Sequence, residues 1–171
     1  GPIGITQVLE QSRDSDHWKS PLEKNGADGK IRGRGIAVGF WRNGGRRSVV
    51  TLNLNSDGVV SLIEGSVDIG GSRASIAMQA AEVLCIPMED IRPTVASTNN
   101  VGFTDNTGGS RTTYATGMAS YRAAELMVDE LKSRVSKIWD IDSSEVVYDS
   151  GTFRAMQDAE LKSMSMTFKE L

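Results

Sequence analysis

Asp57-Gly58-Val59-Val60-Ser61-Leu62-Ile63 runs on through Val67-Asp68-Ile69 into Gly70-Gly71-Ser72-Arg73, and at Ser72 the period of the chain changes. From there Ile76, Ala80, Val83 and Leu84 form one stripe at helical spacing, and Pro87 follows shortly after. The spacing predicts a helix over residues 72–85. Upstream, Ser48 to Leu54 alternates through Val50, Leu52 and Leu54, and Ile36, Val38 and Phe40 alternate with Ala37 and Gly39. Two turn signals, Arg42-Asn43-Gly44-Gly45 and Asn55-Ser56-Asp57-Gly58, separate these runs from each other and from Val59–Ile63. The pattern predicts an antiparallel meander of three strands. The fold class expected is α+β, a mixed or antiparallel sheet with helices packed on it.

Working outward, Ile91 to Ser97 reads as a strand that Pro93 confines to an edge or an irregular place. Thr98 to Gly109 is a polar loop long enough to suspect a function. Ser110 to Trp139 is expected as one long helix, its seam running through Tyr114, Gly117, Tyr121, Ala124, Val128, Leu131, Val135 and Ile138. Glu145–Tyr148 and Thr152–Met156 are short strand candidates, and Thr167 with Glu170 has the form of a capping box that announces a helix. At the other end, residues 4–18 read as an amphipathic helix with Ile5, Val8 and Leu9 on one face, followed by the polar linker Glu23–Gly29. A boundary is therefore expected between an N-terminal helix and linker, 1–29, and a domain, 30–171. The absence of Met at position 1, and a helix signal directly before Leu171, read as signs of an excised piece.

The net charge of −3, with Lys and Arg scattered rather than striped, argues against a phosphate-backbone reader, so no nucleic acid partner is expected. Cys85 and His17 are the only residues of their kinds, which excludes an internal disulfide and a Cys/His metal site. Cys85 reads as a buried inert thiol and His17 as a surface histidine, while Asp105 reads as an Asx-turn residue. No apolar run reaches the length of a membrane span and no signal peptide is visible, so a cytoplasmic location is expected. No acid or base carries a catalytic signature.

One pattern occurs twice: Gly70-Gly71-Ser72-Arg73-Ala74-Ser75-Ile76-Ala77 and Gly108-Gly109-Ser110-Arg111-Thr112-Thr113-Tyr114-Ala115. Each copy stands where the chain enters a helix. The first N–H groups of a helix lack intrahelical partners, and the helix dipole favours an anion there. Glycines admit a ligand close to the backbone, Ser72, Ser75, Ser110, Thr112 and Thr113 offer hydroxyls, and Arg73 and Arg111 offer forks suited to phosphate. Two such ends facing one cleft would hold a diphosphate or a polar heterocycle. The same residues also admit a plainer reading, in which each serine is only an N-cap after a Gly-Gly turn. A third is a non-catalytic α+β module that binds phosphate or a nucleotide at the two segments.

Taken together, these segments resemble the large subunit of the xanthine dehydrogenase and aldehyde oxidase family. Val67 to Ser72 is similar to a family segment that usually reads Gly-Gln-Gly. The helix with Gln79, then Ile86-Pro87-Met88-Glu89-Asp90-Ile91, is similar to its continuation. Gly109-Ser110-Arg111-Thr112-Thr113 and Gly117-Met118-Ala119 resemble a second cofactor-contacting segment, and Ile5–Pro21 with Gly33–Ala37 resembles the domain entry. The resemblance implies a molybdopterin cofactor in mononucleotide or dinucleotide form, with the metal held by the pterin and not by protein side chains. It further implies that Gly70, Gly71, Ser72 and Arg73, and Gly109, Ser110, Arg111 and Thr112, lie against that cofactor. The expected partners are the remainder of the large subunit and iron–sulfur and flavin subunits or domains. Gly71 stands where the family has glutamine, which removes a side-chain amide from the cofactor contact. The family's catalytic glutamate lies in a Gly-Glu-Pro-like motif that this sequence does not contain, so no catalytic residue is assigned and the chain alone is expected to be inactive. On this reading Arg111→Ala lowers cofactor occupancy more than fold stability.

Overall fold

The computed structural model describes residues 3–156 and 164–171. The chain forms two compact units, Gly1–Phe40 and Trp41–Leu171. The boundary expected at residue 29 falls inside the first unit. That unit holds α1 (Ile5–Asp14) and the one-turn α2 (Asp16–Lys19), with Ser15 between them. Ser15 stops α1 by turning extended, and its Oγ accepts the Trp18 N–H to start α2. Ile5 and Val8 share a face but remain exposed. Further on, an isolated bridge pairs Asn25 with Ile31, and Arg34 donates to the Trp18 and Ser20 carbonyls.

The second unit is built on a three-stranded sheet in the order β1 (Val50–Leu54), β2 (Val60–Glu64), β3 (Ile91–Val95). The β1–β2 hairpin forms where the turn signal placed it. Gly58 adopts φ +75, its N–H reaches Asn55 O, and Asp57 Oδ1 takes the Val59 N–H. β3 joins β2 in parallel, Val60 opposite Ile91, after a crossover through α3 (Ser72–Leu84). The sheet is therefore mixed, and Pro93 lies on its edge strand as expected.

The expected first strand, with Ile36, Val38 and Phe40, does not form. Residues 32–49 carry no strand, and Phe40 is almost wholly exposed. Alternation supplies an apolar face, but a strand also needs a neighbour for its N–H and C=O groups, and nothing in the first unit provides one. The three-stranded antiparallel meander is thus corrected to one hairpin plus a parallel strand.

α3 and α4 (Gly117–Trp139) pack on each other, and α4 also packs against β1. Ala77, Ala80 and Ala81 on α3, with Ala124 on α4, give these helices small buried faces, and Ser120 Oγ donates to the Ile76 carbonyl between them. Val60, Leu62, Ile76, Leu84, Leu131 and Val135 form the centre of the core, each large aliphatic side chain contributing about 1.5–3 kcal/mol by burial. Of the expected α4 seam, Gly117, Ala124, Leu131 and Val135 are buried, whereas Tyr114, Tyr121 and Ile138 are exposed. The first turn of the expected helix is not α. Thr112–Thr116 is wound as a π-helix.

A second antiparallel sheet, β4 (Val146–Asp149), β5 (Thr152–Ala155) and β6 (Ser165–Thr167), closes the unit. Ser150 and Gly151, both at positive φ, make the β4–β5 turn, and Phe153 lies fully buried beside Tyr148. The Thr167–Glu170 signal does make its bond, Glu170 Oε2 accepting the Thr167 N–H in the turn that follows β6. Cys85, expected buried, is exposed: it takes the left-handed C-cap of α3, which carries its side chain out of the apolar stripe.

Candidate functional site

The two Gly-Gly-Ser-Arg copies meet at one hollow of about 410 Å³. Ile69 and Ser72 line one side, and Thr107, Gly108 and the run Ser110 to Thr113 line the other. Gly109 lines an adjoining cleft of about 380 Å³ with Trp41, Arg42, Gly44, Arg46 and Gly108. Gly70, Gly71 and Arg73 line neither. Among the described residues no group of His, Cys, Asp and Glu is placed to hold a metal ion. A larger hollow, about 660 Å³, follows β1 and α4, but its charged pair Glu130–Arg134 is a solvent-facing i,i+4 contact.

The first copy is closed by its own acid. Asp68 Oδ1 accepts the Arg73 N–H at 3.1 Å and the Ser72 hydroxyl at 3.3 Å, while Ser72 Oγ accepts the Ile69 N–H. The remaining N–H groups of the first turn of α3 are also taken, Ser72 by Ile69 O and Ala74 and Ser75 by Gly71 O. The expected anion cradle at this end is corrected: an internal carboxylate already answers the helix dipole, and no first-turn N–H is left over. An aspartate four residues before the serine was the signal for this cap. Gly71, at φ +81 and with open space beside it, is a position where a side chain is strained but not blocked.

The arginine forks are corrected as well. Arg111 is fully buried, and its guanidinium donates to Gly45 O at 2.8 Å, Asp105 O at 2.9 Å, Arg47 O at 2.6 Å and Ser48 Oγ. It pins two loops together and has no fork left for phosphate, so only the rest of the residue faces the hollow. Arg73 turns toward the buried carboxylate of Glu64, Nε lying 4.0 Å from Oε1. Glu64 Oε2 in turn accepts the Ser66 N–H at 2.5 Å.

The second copy is held open from below and behind. Gly109 O accepts the Gly44 N–H at 3.0 Å, and at φ +63 a Cβ on Gly109 would be strained and would press on Gly44 N and Arg42 O, so glycine favours this backbone contact. Asp105 bridges to Arg47 in both directions, its N–H to Arg47 O and its Oδ2 from Arg47 N–H. Ser110 follows in the left-handed region at φ +54. Within the π turn, Thr116 is fully buried and its hydroxyl meets Ser48 Oγ at 2.9 Å and Ser66 Oγ at 2.8 Å. Thr112 Oγ1 is buried and has no hydrogen-bond partner. An unpartnered buried hydroxyl is costly unless something else answers it, and this one belongs to a residue lining the hollow. The residues present therefore suit a polar ligand beside Thr112, whose hydroxyl is enclosed here and meets the ligand on turning toward the hollow. The π turn, Asp68 and the Ser48–Thr116–Ser66 chain were not anticipated from the sequence. None alters apolar periodicity, which is the signal used to read it.

Residues 7–171 match the family described as Molybdopterin cofactor-binding domain. The chain is 30% identical over 131 residues to the probable hypoxanthine oxidase XdhD of Escherichia coli K12, covering 74% of this chain and 14% of that protein. It is 30% identical over 139 residues to the xanthine dehydrogenase of Emericella nidulans, covering 77% of this chain and 10% of that one. The crystal structure of the Cu,Mo-CO dehydrogenase in its carbon-monoxide-reduced state superposes with a TM-score of 0.65 at 23% identity, over 72% of this chain and 15% of that one, and so shares the fold. The chain belongs to the molybdopterin cofactor-binding domain family. It spans about one tenth to one seventh of the length of these relatives.

Proposed function

We propose that this domain forms part of the molybdopterin cleft of a molybdenum hydroxylase acting on aldehydes or N-heterocycles. The observation that carries the reading is the hollow shared by Ser72 and the Ser110–Thr113 entry, with the unpartnered buried hydroxyl of Thr112 beside it. In this reading Thr112 Oγ1 meets a polar edge of the cofactor. Gly108 lets backbone lie against it, while Ser72 contributes a neutral wall. Ser72, Ser110, Arg111 and Thr112 border the cofactor and Gly109 lies in the adjoining cleft, Arg111 acting by orienting the loop and not by its fork, while Gly70, Gly71 and Arg73 stand behind this wall. The cofactor is molybdopterin in mononucleotide or dinucleotide form, and when bound it supplies the redox chemistry of hydroxylation.

The remaining cofactor contacts and the general base come from the rest of a large subunit, working with iron–sulfur and flavin subunits in the cytoplasm. This chain by itself does not turn over aldehydes or purines. The test is Thr112→Val, which keeps the shape and removes the hydroxyl. One lost hydrogen bond of about 1 kcal/mol lowers cofactor affinity roughly fivefold. Pterin and molybdenum per chain fall while Tm holds if the reading is right. Unchanged pterin content refutes it.

A further inference from the structure

Gln79 stands two turns into α3, and its side chain crosses to the start of α4. Its Nε2 donates to Thr113 O at 3.2 Å. In a regular α-helix that carbonyl would take the Gly117 N–H, four residues on. Here the Gly117 N–H goes instead to Tyr114 O, three residues back, where the π-wound Thr112–Thr116 joins α4. Thr113 O, which loses that donor at the junction, receives the Gln79 amide in its place. Room for the amide depends on Gly117, where a Cβ would overlap the Gln79 side-chain amide. π turns are rare, and they persist where surrounding groups hold them. This one is held by Gln79 on one side and by the Thr116 bonds to Ser48 and Ser66 on the other.

We propose that Gln79, with Gly117 making space for it, is a positioning residue of the cofactor cleft. The proposal rests on the function assigned above and deepens it. By satisfying Thr113 O, Gln79 keeps the π turn from rewinding and so keeps Thr112 on the wall of the hollow. An α-helix advances about 100° per residue, so absorbing the extra residue of the π turn would swing the entry segment by roughly that angle. Such a rotation carries Thr112 off the wall of the hollow and breaks the register of Ser110 against the loop at Asn43, whose Nδ2 donates to Ser110 O.

The experiment uses the holoenzyme, with Gln79→Leu, the near-isosteric Gln79→Glu, Thr112→Val, Gly117→Ala, and Gln79→Ala alone and combined with Gly117→Ala, and reads pterin and molybdenum per chain together with Tm. Loss of the Gln79 donor lowers pterin content about as far as Thr112→Val does, roughly fivefold, with Tm near that of the wild type. Gly117→Ala lowers it too, by displacing the amide, but adds nothing on top of Gln79→Ala, where the clashing group is gone. Wild-type pterin content in both Gln79 variants beside a lowered content in Thr112→Val overturns the positioning role and leaves the cleft standing. Wild-type content in all the variants overturns both. Fully additive losses in the Gln79→Ala, Gly117→Ala double variant also overturn the pairing of these two residues.

Discussion

Arg111→Ala is the substitution on which the sequence and the structure disagree most sharply. The repeat makes Arg111 a phosphate fork, so its loss should empty the cofactor site and spare the fold. In the structure its guanidinium is fully buried and serves three backbone carbonyls, those of Gly45, Arg47 and Asp105, besides Ser48 Oγ. Hydrogen bonds from a charged donor contribute about 1.5–3 kcal/mol each, and three lost together come to roughly 4–9 kcal/mol. Water entering the vacated space offsets part of that, so a loss of about 4 kcal/mol is expected, against a typical domain stability of roughly 5–15 kcal/mol. Urea unfolding followed by far-UV circular dichroism measures it as a shift in midpoint. Arg111→Lys should fall between, because one ammonium cannot span the three carbonyls. An Arg111→Ala protein within about 1 kcal/mol of wild type, yet depleted of cofactor, would refute the clamp and restore the fork.

Three further outcomes are expected. Gly71→Gln, which puts back the family's glutamine, costs about 1–2 kcal/mol in stability from the left-handed backbone at φ +81, with no steric clash, and thermal melts will show it. Gly151→Ala is more severe, because Gly151 has φ +75 and its Cβ would lie 2.8 Å from Cys85 O; a drop in Tm larger than that of Gly71→Gln checks this. Tyr148 is pushed up to about 12, chiefly by burial and secondarily by Cys85, and its hydroxyl donates to Leu84 O at 2.5 Å. The folded protein thus keeps this proton more tightly than the unfolded chain. Its contribution is fully present below pH about 10 and is lost as pH rises from there toward 12. Tyr148→Phe should flatten that alkaline decline, and an unchanged slope of stability against pH would count against the assignment.

Much of the fold is legible in apolar spacing. α3, the β1–β2 hairpin, the edge position of Pro93 and the α4 core residues Ala124, Leu131 and Val135 all follow from period and turn chemistry. The spacing misleads at residues 36–40, where alternation is present but no pairing partner exists, and at Cys85, where a left-handed cap overrides the helical stripe. At the site, the repeat marks two segments, and Ser72 of one shares a hollow with Gly108 and Ser110–Thr113 of the other. It does not distinguish an arginine aimed at a ligand from one buried under loops, because Arg111 finds its acceptors 64 and 66 residues away, in carbonyls that carry no side-chain signature. Asp68 was visible, but its role as cap depends on a backbone turn at Gly70 and Gly71 that only coordinates display.

Under the proposed function, a polar atom of molybdopterin answers the unpartnered buried hydroxyl at Thr112. A crystal structure of the molybdenum-loaded enzyme tests it most directly. The account predicts a cofactor oxygen or nitrogen within about 3 Å of Thr112 Oγ1, between Ser72 and Ser110. Cofactor density elsewhere, with Thr112 Oγ1 bonded only to water or to protein, would contradict it.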